Sequence, residues 1–266
     1  MRRYLTLAAS AGLAALFCNP SPAWAQTVGA AGSFAIVGGS AVSAAGTGSV
    51  VNGDVGVSPG TAITGFPASA STVPPYSTHS NDGAAISAQA ATLGLYNFLA
   101  AAGGASPIGP QLNALNLGPG VYSIGAADLA TGGTLTLTGA GIYIFKVASS
   151  LTANTGSNVV LAGGADPCNV YWQVTSAATL NGVTFSGNVV AQAAVTLGVG
   201  DRLTGRALTT SLGAVTLSGT NTAGGCSAAA VPPAPVPTLP QAFMVLLAIG
   251  LAGVGYLRLR RRARVN

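Results

Sequence analysis

Catalysis, metal binding and phosphate recognition all need particular side chains at particular spacings, and this chain of 266 residues offers few of them. It contains no Glu, and its five acids, Asp54, Asp82, Asp128, Asp166 and Asp201, stand far apart, mostly beside Gly, Asn or Pro. Glycosidases need paired carboxylates. An isolated Asp beside Gly or Asn reads instead as a turn or cap residue. His79 is the single histidine, in the stretch Pro74-Pro75-Tyr76-Ser77-Thr78-His79, and no Ser/His/Asp arrangement can be assigned around it from sequence. Residues 37–53 are Gly-rich but lack the Lys-Ser/Thr ending of a phosphate loop. No enzyme, cofactor, metal or small-molecule substrate is therefore expected.

Charge and cysteine usage narrow the field further. Seven of the ten basic residues lie at the two ends, leaving Lys146, Arg202 and Arg206 against five aspartates, a net of −2 for the interior. Nucleic acid needs clustered Lys and Arg, so none is expected as a partner. Of three cysteines, Cys18 falls in an N-terminal leader described below. Cys168 and Cys226 have no C-x-x-C spacing and no companion His, which argues against zinc. In an exported chain they read as one disulfide, whose loop of nearly 60 residues would contribute about 4 kcal/mol.

The elements that would position any site are short. Val50-Val51-Asn52-Gly53-Asp54-Val55, Val183 to Val190 and Arg202 to Leu208 share an apolar-x-Gly-x-apolar frame. A triplet recurs at Ala178-Thr179-Leu180, Val195-Thr196-Leu197 and Val215-Thr216-Leu217, with leucine spacings of 17 and then 20. Strands and tight turns at that period suggest the rungs of a β-solenoid, stacked about 4.8 Å apart over an inward ladder of Leu, Val and Phe. An immunoglobulin-like sandwich is the alternative. One segment departs from the β pattern: Asn81-Asp82 can cap a helix over about 83–102, with Gly103 at its stop. Its predicted apolar face is Ile86, Ala90, Leu93 and Asn97, widened by Leu95, Phe98 and Leu99.

The ends have their own chemistry. Residues 1–25 combine Arg2 and Arg3, an apolar run and Ala23-Trp24-Ala25, the pattern of a signal peptide cleaved after Ala25. Residues 227–238 form a Pro-rich linker. Residues 239–257 are an uncharged run long enough to span about 28 Å as a helix, close to the thickness of a bilayer core. An Arg-rich tail follows, which would stay on the cytoplasmic side. The run Val236-Pro237-Thr238-Leu239-Pro240, the apolar segment and Arg260-Arg261-Arg262 resemble the IPTL-CTERM sorting signals of Gram-negative bacteria. That resemblance implies a sorting machinery at the membrane as partner and delivery to the cell surface.

Between leader and linker, residues 26–226 are identified as similar to the microbial ice-binding-like proteins. The resemblance lies in Ser33-Phe34-Ala35-Ile36-Val37-Gly38-Gly39-Ser40, Val51-Asn52-Gly53-Asp54-Val55-Gly56-Val57-Ser58-Pro59-Gly60, Leu117-Gly118-Pro119-Gly120-Val121-Tyr122, Cys168-Asn169-Val170-Tyr171-Trp172-Gln173-Val174 and Gly205-Arg206-Ala207-Leu208. It implies a mostly β fold, a right-handed discontinuous β-solenoid with one long α-helix alongside, and a flat face that adsorbs to the surface of an ice crystal. It also implies Thr-Ala/Gly-x-Thr/Asn motifs on that face, here Thr61-Ala62-Ile63-Thr64, Thr131-Gly132-Gly133-Thr134 and Thr152-Ala153-Asn154-Thr155. Thr61, Ala62, Thr64, Thr131, Gly132, Thr134, Thr152, Ala153 and Thr155 are thus the expected ice-binding residues. Three motifs on one flat face would favour ice. Three on different faces would favour an ice-independent surface scaffold or adhesin. Asp201-Arg202 would weaken ice binding if their charges pointed onto the same face.

Overall fold

The structure is a computed structural model that describes residues 28–210 and 212–226. The proposed leader, the Pro-rich linker, the apolar run and the Arg-rich tail lie outside these residues. Among the described residues no helix is long and apolar enough to cross a membrane.

Runs such as Ala214–Ser218, whose pattern alternates half-buried and buried residues, form short strands with one side inward. Their neighbours are parallel, in register, and one rung away, as with Ala194–Leu197 on Ala214–Ser218. The result is a parallel β-solenoid, not a sandwich. One side is a seven-stranded sheet; a fifteen-stranded sheet forms the other two.

The fifteen-stranded sheet turns a corner, and the glycine frame read from the sequence makes it. Gly187 and Gly205 pair with each other midway along the strands Thr184–Ala191 and Arg202–Thr209. Their φ values of 119° and 152° are rarely adopted by L residues. A Cβ on Gly187 would come within 2.8 Å of Trp172 Nε1, and one on Gly205 would overlap the Gly187 carbonyl. Before the corner these strands pair on a third face, through Thr184 with Asn158; beyond it they join a helix-covered face, through Asn188 with Tyr171.

The stack is discontinuous in sequence. Strand Ala41–Ala45 lies on Ala214–Ser218, so an N-terminal rung sits beside the last C-terminal one. Helix Gly83–Ala101 carries the chain from the strand Thr78–Ser80 at one end to Ser106–Pro107 at the other. Nineteen helical residues rise about 28 Å, and the nine strands on that face span about 38 Å. The connection after Ala101 can cover the difference, so the height of the stack sets the helix length.

Asp82 caps the helix, accepting from the Ala85 N–H at 2.9 Å. The buried face differs from the predicted one: it comprises Ala85, Ala88, Gln89, Thr92, Leu95 and Leu99, whereas Ile86 and Leu93 are 51% and 44% exposed. Small residues win because the first turns lie close against the sheet, where Phe34 and Gly56 leave little room. Leu95 and Leu99 fill the wider gap toward Ile144, Tyr171, Val190 and Leu208.

Inside the solenoid, Tyr122, Phe145 and Trp172 occupy one register position on successive strands. Phe145 and Trp172 stack with ring centroids 4.0 Å apart, and Phe185 packs on Trp172 at 5.1 Å. Trp172 Nε1 donates to the Ser186 carbonyl, so the ring is buried with its polar atom paired. Cys168 and Cys226 form the expected disulfide. Beside it Arg206, 2% exposed, donates to Asn188 Oδ1 and to the carbonyls of Gly32 and Cys226. Burial lowers the pKa of its guanidinium.

Candidate functional site

The seven-stranded sheet presents one outward row that runs its full height. The residues pair in the order Asp128, Thr152, Thr179, Thr196, Thr216, Ser43 and Thr64. Five are threonines, one is serine, and only the last position at one end is charged. The residues flanking each of them in sequence point inward, giving a ladder of Val42, Val195, Val215 and Leu151 on one side and Leu180, Leu197 and Leu217 on the other. That packing fixes which side of each strand meets water.

The rows beside the ladder are as informative. Ala194, Ala214, Ala41 and Ala62 lie in register on one side, and Ser218 pairs with Ala45 on the other. The alanines and serine in these rows are no longer than the threonines, which is what a flat surface requires. From strand spacing and rise it covers on the order of 400 Å². Ser43 Oγ donates to Thr216 Oγ1 at 3.4 Å, across the junction between N- and C-terminal rungs. Asp128 is tied down at the ladder's end by Gln111 Nε2 at 2.7 Å and Asn154 Nδ2 at 3.0 Å.

The third face is built differently. Its outward row pairs Thr134, Asn158, Thr184, Arg202, Thr222, Val50 and Ser71. A guanidinium and an exposed Val among shorter side chains break both its flatness and its chemical repeat. Asp201 is buried and accepts from the Val183 N–H at 2.8 Å. Burial raises its pKa despite that bond. Neither charge of Asp201-Arg202 thus reaches the threonine ladder, contrary to the concern raised by the sequence.

The nine expected residues are dispersed. Thr64 and Thr152 stand in the ladder, Ala62 is in the alanine row, and Thr61 is exposed just before the strand Ala62–Thr64. Ala153 faces inward and is fully buried, while Thr155 is exposed in the following turn. Thr131 and Gly132 occupy a turn, and Thr134 lies on the third face. The three motifs therefore do not share one face as units, so the condition set from sequence for ice over a surface scaffold is not met by the motifs themselves, and the case for ice rests on the ladder instead. The cause is twofold: each motif runs across the boundary between a strand and a turn, and within a strand adjacent residues point to opposite sides. Ser43, Thr179, Thr196 and Thr216 were absent from the expected set, although three of them sit in the recurring triplet that marked the rungs.

The neighbourhood of His79 also differs from expectation. Ser77 Oγ lies 3.0 Å from His79 Nε2, and His79 Nδ1 lies 2.8 Å from Asp82 Oδ2, so a Ser-His-Asp row does exist. Ser77, His79 and Asp82 are only two and three positions apart in sequence, and the turn from the strand Thr78–Ser80 into the helix cap brings their side chains into line. Asp54 Oδ1 accepts from the Ser77 N–H at 2.9 Å, and Asp82 holds the first helical turn. The row thus joins the end strand to the helix start. The Ala85 N–H and then His79 hold the Asp82 carboxyl below its ordinary pKa.

A parallel β-solenoid with a crossover helix and one flat, small-residue threonine face defines a class of scaffold that presents a regular surface to solvent. Within that class the chain belongs to the ice-binding-like family, whose pattern matches residues 36–223. An ice-binding protein of Nostoc sp. (strain HG1) is 32% identical over 260 residues, covering 95% of this chain and 94% of that protein. The crystal structure of an ice-binding protein from an Antarctic biological consortium superposes with a TM-score of 0.68 at 37% identity, covering 74% of this chain and 90% of the other. That of an ice-binding protein from the Antarctic ascomycete Antarctomyces psychrotrophicus also gives 0.68, at 32% identity, covering 73% and 96%. The family is non-enzymatic.

Proposed function

We propose that this protein adsorbs to ice through the outward face of its seven-stranded sheet, slowing recrystallisation or attaching cells to ice. The observation that carries this reading is the in-register ladder of Thr152, Thr179, Thr196, Thr216, Ser43 and Thr64. Threonine is stiff at χ1, so little entropy remains to be lost when the surface is occupied. Its hydroxyl holds an ordered water while its methyl disfavours bulk-like hydration. Rows about 4.8 Å apart therefore prearrange water over the flat face before it meets the crystal. Of the nine residues expected from sequence, Thr64, Thr152 and Ala62 contribute directly in this reading. The leader, Pro-rich linker, apolar run and Arg-rich tail support export and sorting to the cell surface.

The test is ice-affinity partition and a recrystallisation assay on the wild type, Thr196→Tyr and Thr184→Tyr. Thr196 lies mid-ladder, so a tyrosine there lifts the protein off the crystal and removes most of the activity. Thr184 is on the third face, and its variant keeps activity. A wild type that neither enters ice nor slows recrystallisation at micromolar concentration refutes ice binding and leaves the surface-scaffold reading. Loss in Thr184→Tyr alone refutes the choice of face.

A further inference from the structure

Lys146 is the only lysine in the chain, and it opens into a cleft unrelated to the threonine face. This cleft, about 610 Å³, lies where the last turns of the helix diverge from the sheet, with Tyr96 on one wall and the outward residues Ser123, Lys146 and Gln173 on its floor. These three floor residues are register partners on successive strands. Lys146 Nζ donates to the Ala102 carbonyl at 2.9 Å, which anchors the ammonium and leaves two of its three protons free. None of the five aspartates lines the cleft. Gln173 is only 4% exposed, and the part of it that remains accessible lines this cleft. Ile108 and Pro107 give the remaining wall an apolar surface.

A cation without a counter-ion, an amide and hydroxyls against an apolar wall are the complement of one kind of ligand. A bare inorganic anion would want several cations or a nest of backbone N–H groups, and a neutral sugar would leave the ammonium unanswered. We propose that the cleft binds a uronic-acid residue of an acidic polysaccharide. Its carboxylate meets Lys146, its ring hydroxyls meet Gln173 and Ser123, and the C–H face of its ring rests on Ile108 and Pro107. Open, mostly apolar clefts with a few placed polar groups are ordinary ligand sites at this volume. The proposal is independent of ice binding, since the floor residues lie on the helix-covered face.

Titration calorimetry on the full-length chain tests it, with trigalacturonate as probe and maltotriose, acetate and phosphate as comparisons. Trigalacturonate should bind saturably with a dissociation constant on the order of 1 mM, weakening as salt rises, and the comparison ligands should bind at least tenfold more weakly. Lys146→Met keeps most of the apolar stem, removes the charge and should weaken trigalacturonate tenfold or more. Lys146→Arg should restore part of the loss. Thermal midpoints of both variants report whether they fold; if they do not, the salt dependence of the wild type decides. Equal binding of maltotriose, acetate or phosphate overturns the proposal. So do a Lys146→Met variant that folds and binds normally, wild-type binding indifferent to salt, and the absence of saturable heat.

Discussion

Replacing Cys168 and Cys226 together by Ser perturbs a part of the molecule that the threonine face does not use. The bridge joins residues separated by 58 positions, with Cα atoms 5.3 Å apart. Closing a loop of that length restricts the unfolded chain by about 4 kcal/mol at 25 °C in the chain-entropy treatment. On the native side little should change. The Cys226 carbonyl is held by Arg206, and the strand Thr222–Gly224 is paired with Arg202–Thr209 and Ser49–Asn52 through its backbone. These contacts need no sulfur, so the effect falls on the unfolded state. For a domain of this size, 1 kcal/mol moves Tm by about 2–4 °C, which gives a fall of roughly 8–16 °C. Scanning calorimetry of wild type and double variant measures it, and the denaturant m value should rise as the unfolded chain expands. Ice adsorption in the cold should persist. A Tm within about 2 °C of wild type, with unchanged m, would refute the reasoning by showing that the bridge does not restrict the unfolded chain.

Two further outcomes test the corner and the cap. Gly205→Ala should destabilise by more than about 3 kcal/mol, because its Cβ overlaps the Gly187 carbonyl as well as forcing a strained φ; Gly200→Ala, strained in φ but in open space, should cost only about 1–2 kcal/mol, and equal urea midpoints for the two would contradict the corner argument. Asp82 has its folded pKa lowered, so its contribution is present above the ordinary carboxylate range and is lost as pH falls through the lowered value. Asp82→Asn keeps a capping oxygen but removes that linkage, so urea midpoints of the variant should depend less on pH in the acid range; an unchanged slope would count against it.

What could be read from the sequence was what repeats locally. The triplet around Thr179, Thr196 and Thr216 marked rungs because inward Leu180, Leu197 and Leu217 recur at the period of one turn of the solenoid. The glycine frame was visible, but its role as a stacked corner was not, since only the register of Gly187 with Gly205 shows that the two approach each other. The helix was legible from its cap and alanine content. Its buried face was not, because hydropathy favours Ile86 and Leu93 whereas close approach to the sheet favours Ala85 and Ala88.

The site was harder to read for a topological reason. Ser43 and Thr216 are 173 residues apart, yet their hydroxyls are hydrogen-bonded neighbours in one row. This follows from the helix, which sends the chain to the far end of the stack so that the C-terminal rungs grow back toward the N-terminal ones. A continuous solenoid would place successive rungs of a face in sequence order, and its repeat could be read by period alone. Here the row Thr64, Ser43, Thr216, Thr196, Thr179, Thr152 crosses the discontinuity at its second step. The flatness of the proposed surface therefore depends on the junction between Ala41–Ala45 and Ala214–Ser218 holding its register. That junction is held from the neighbouring face as well: Thr209 Oγ1 accepts from the Gly39 N–H, and the Gly213 carbonyl accepts from the N–H groups of Gly39 and Ser40. A one-residue slip there would turn Val42 outward and Ser43 inward, ending the ladder at Thr216.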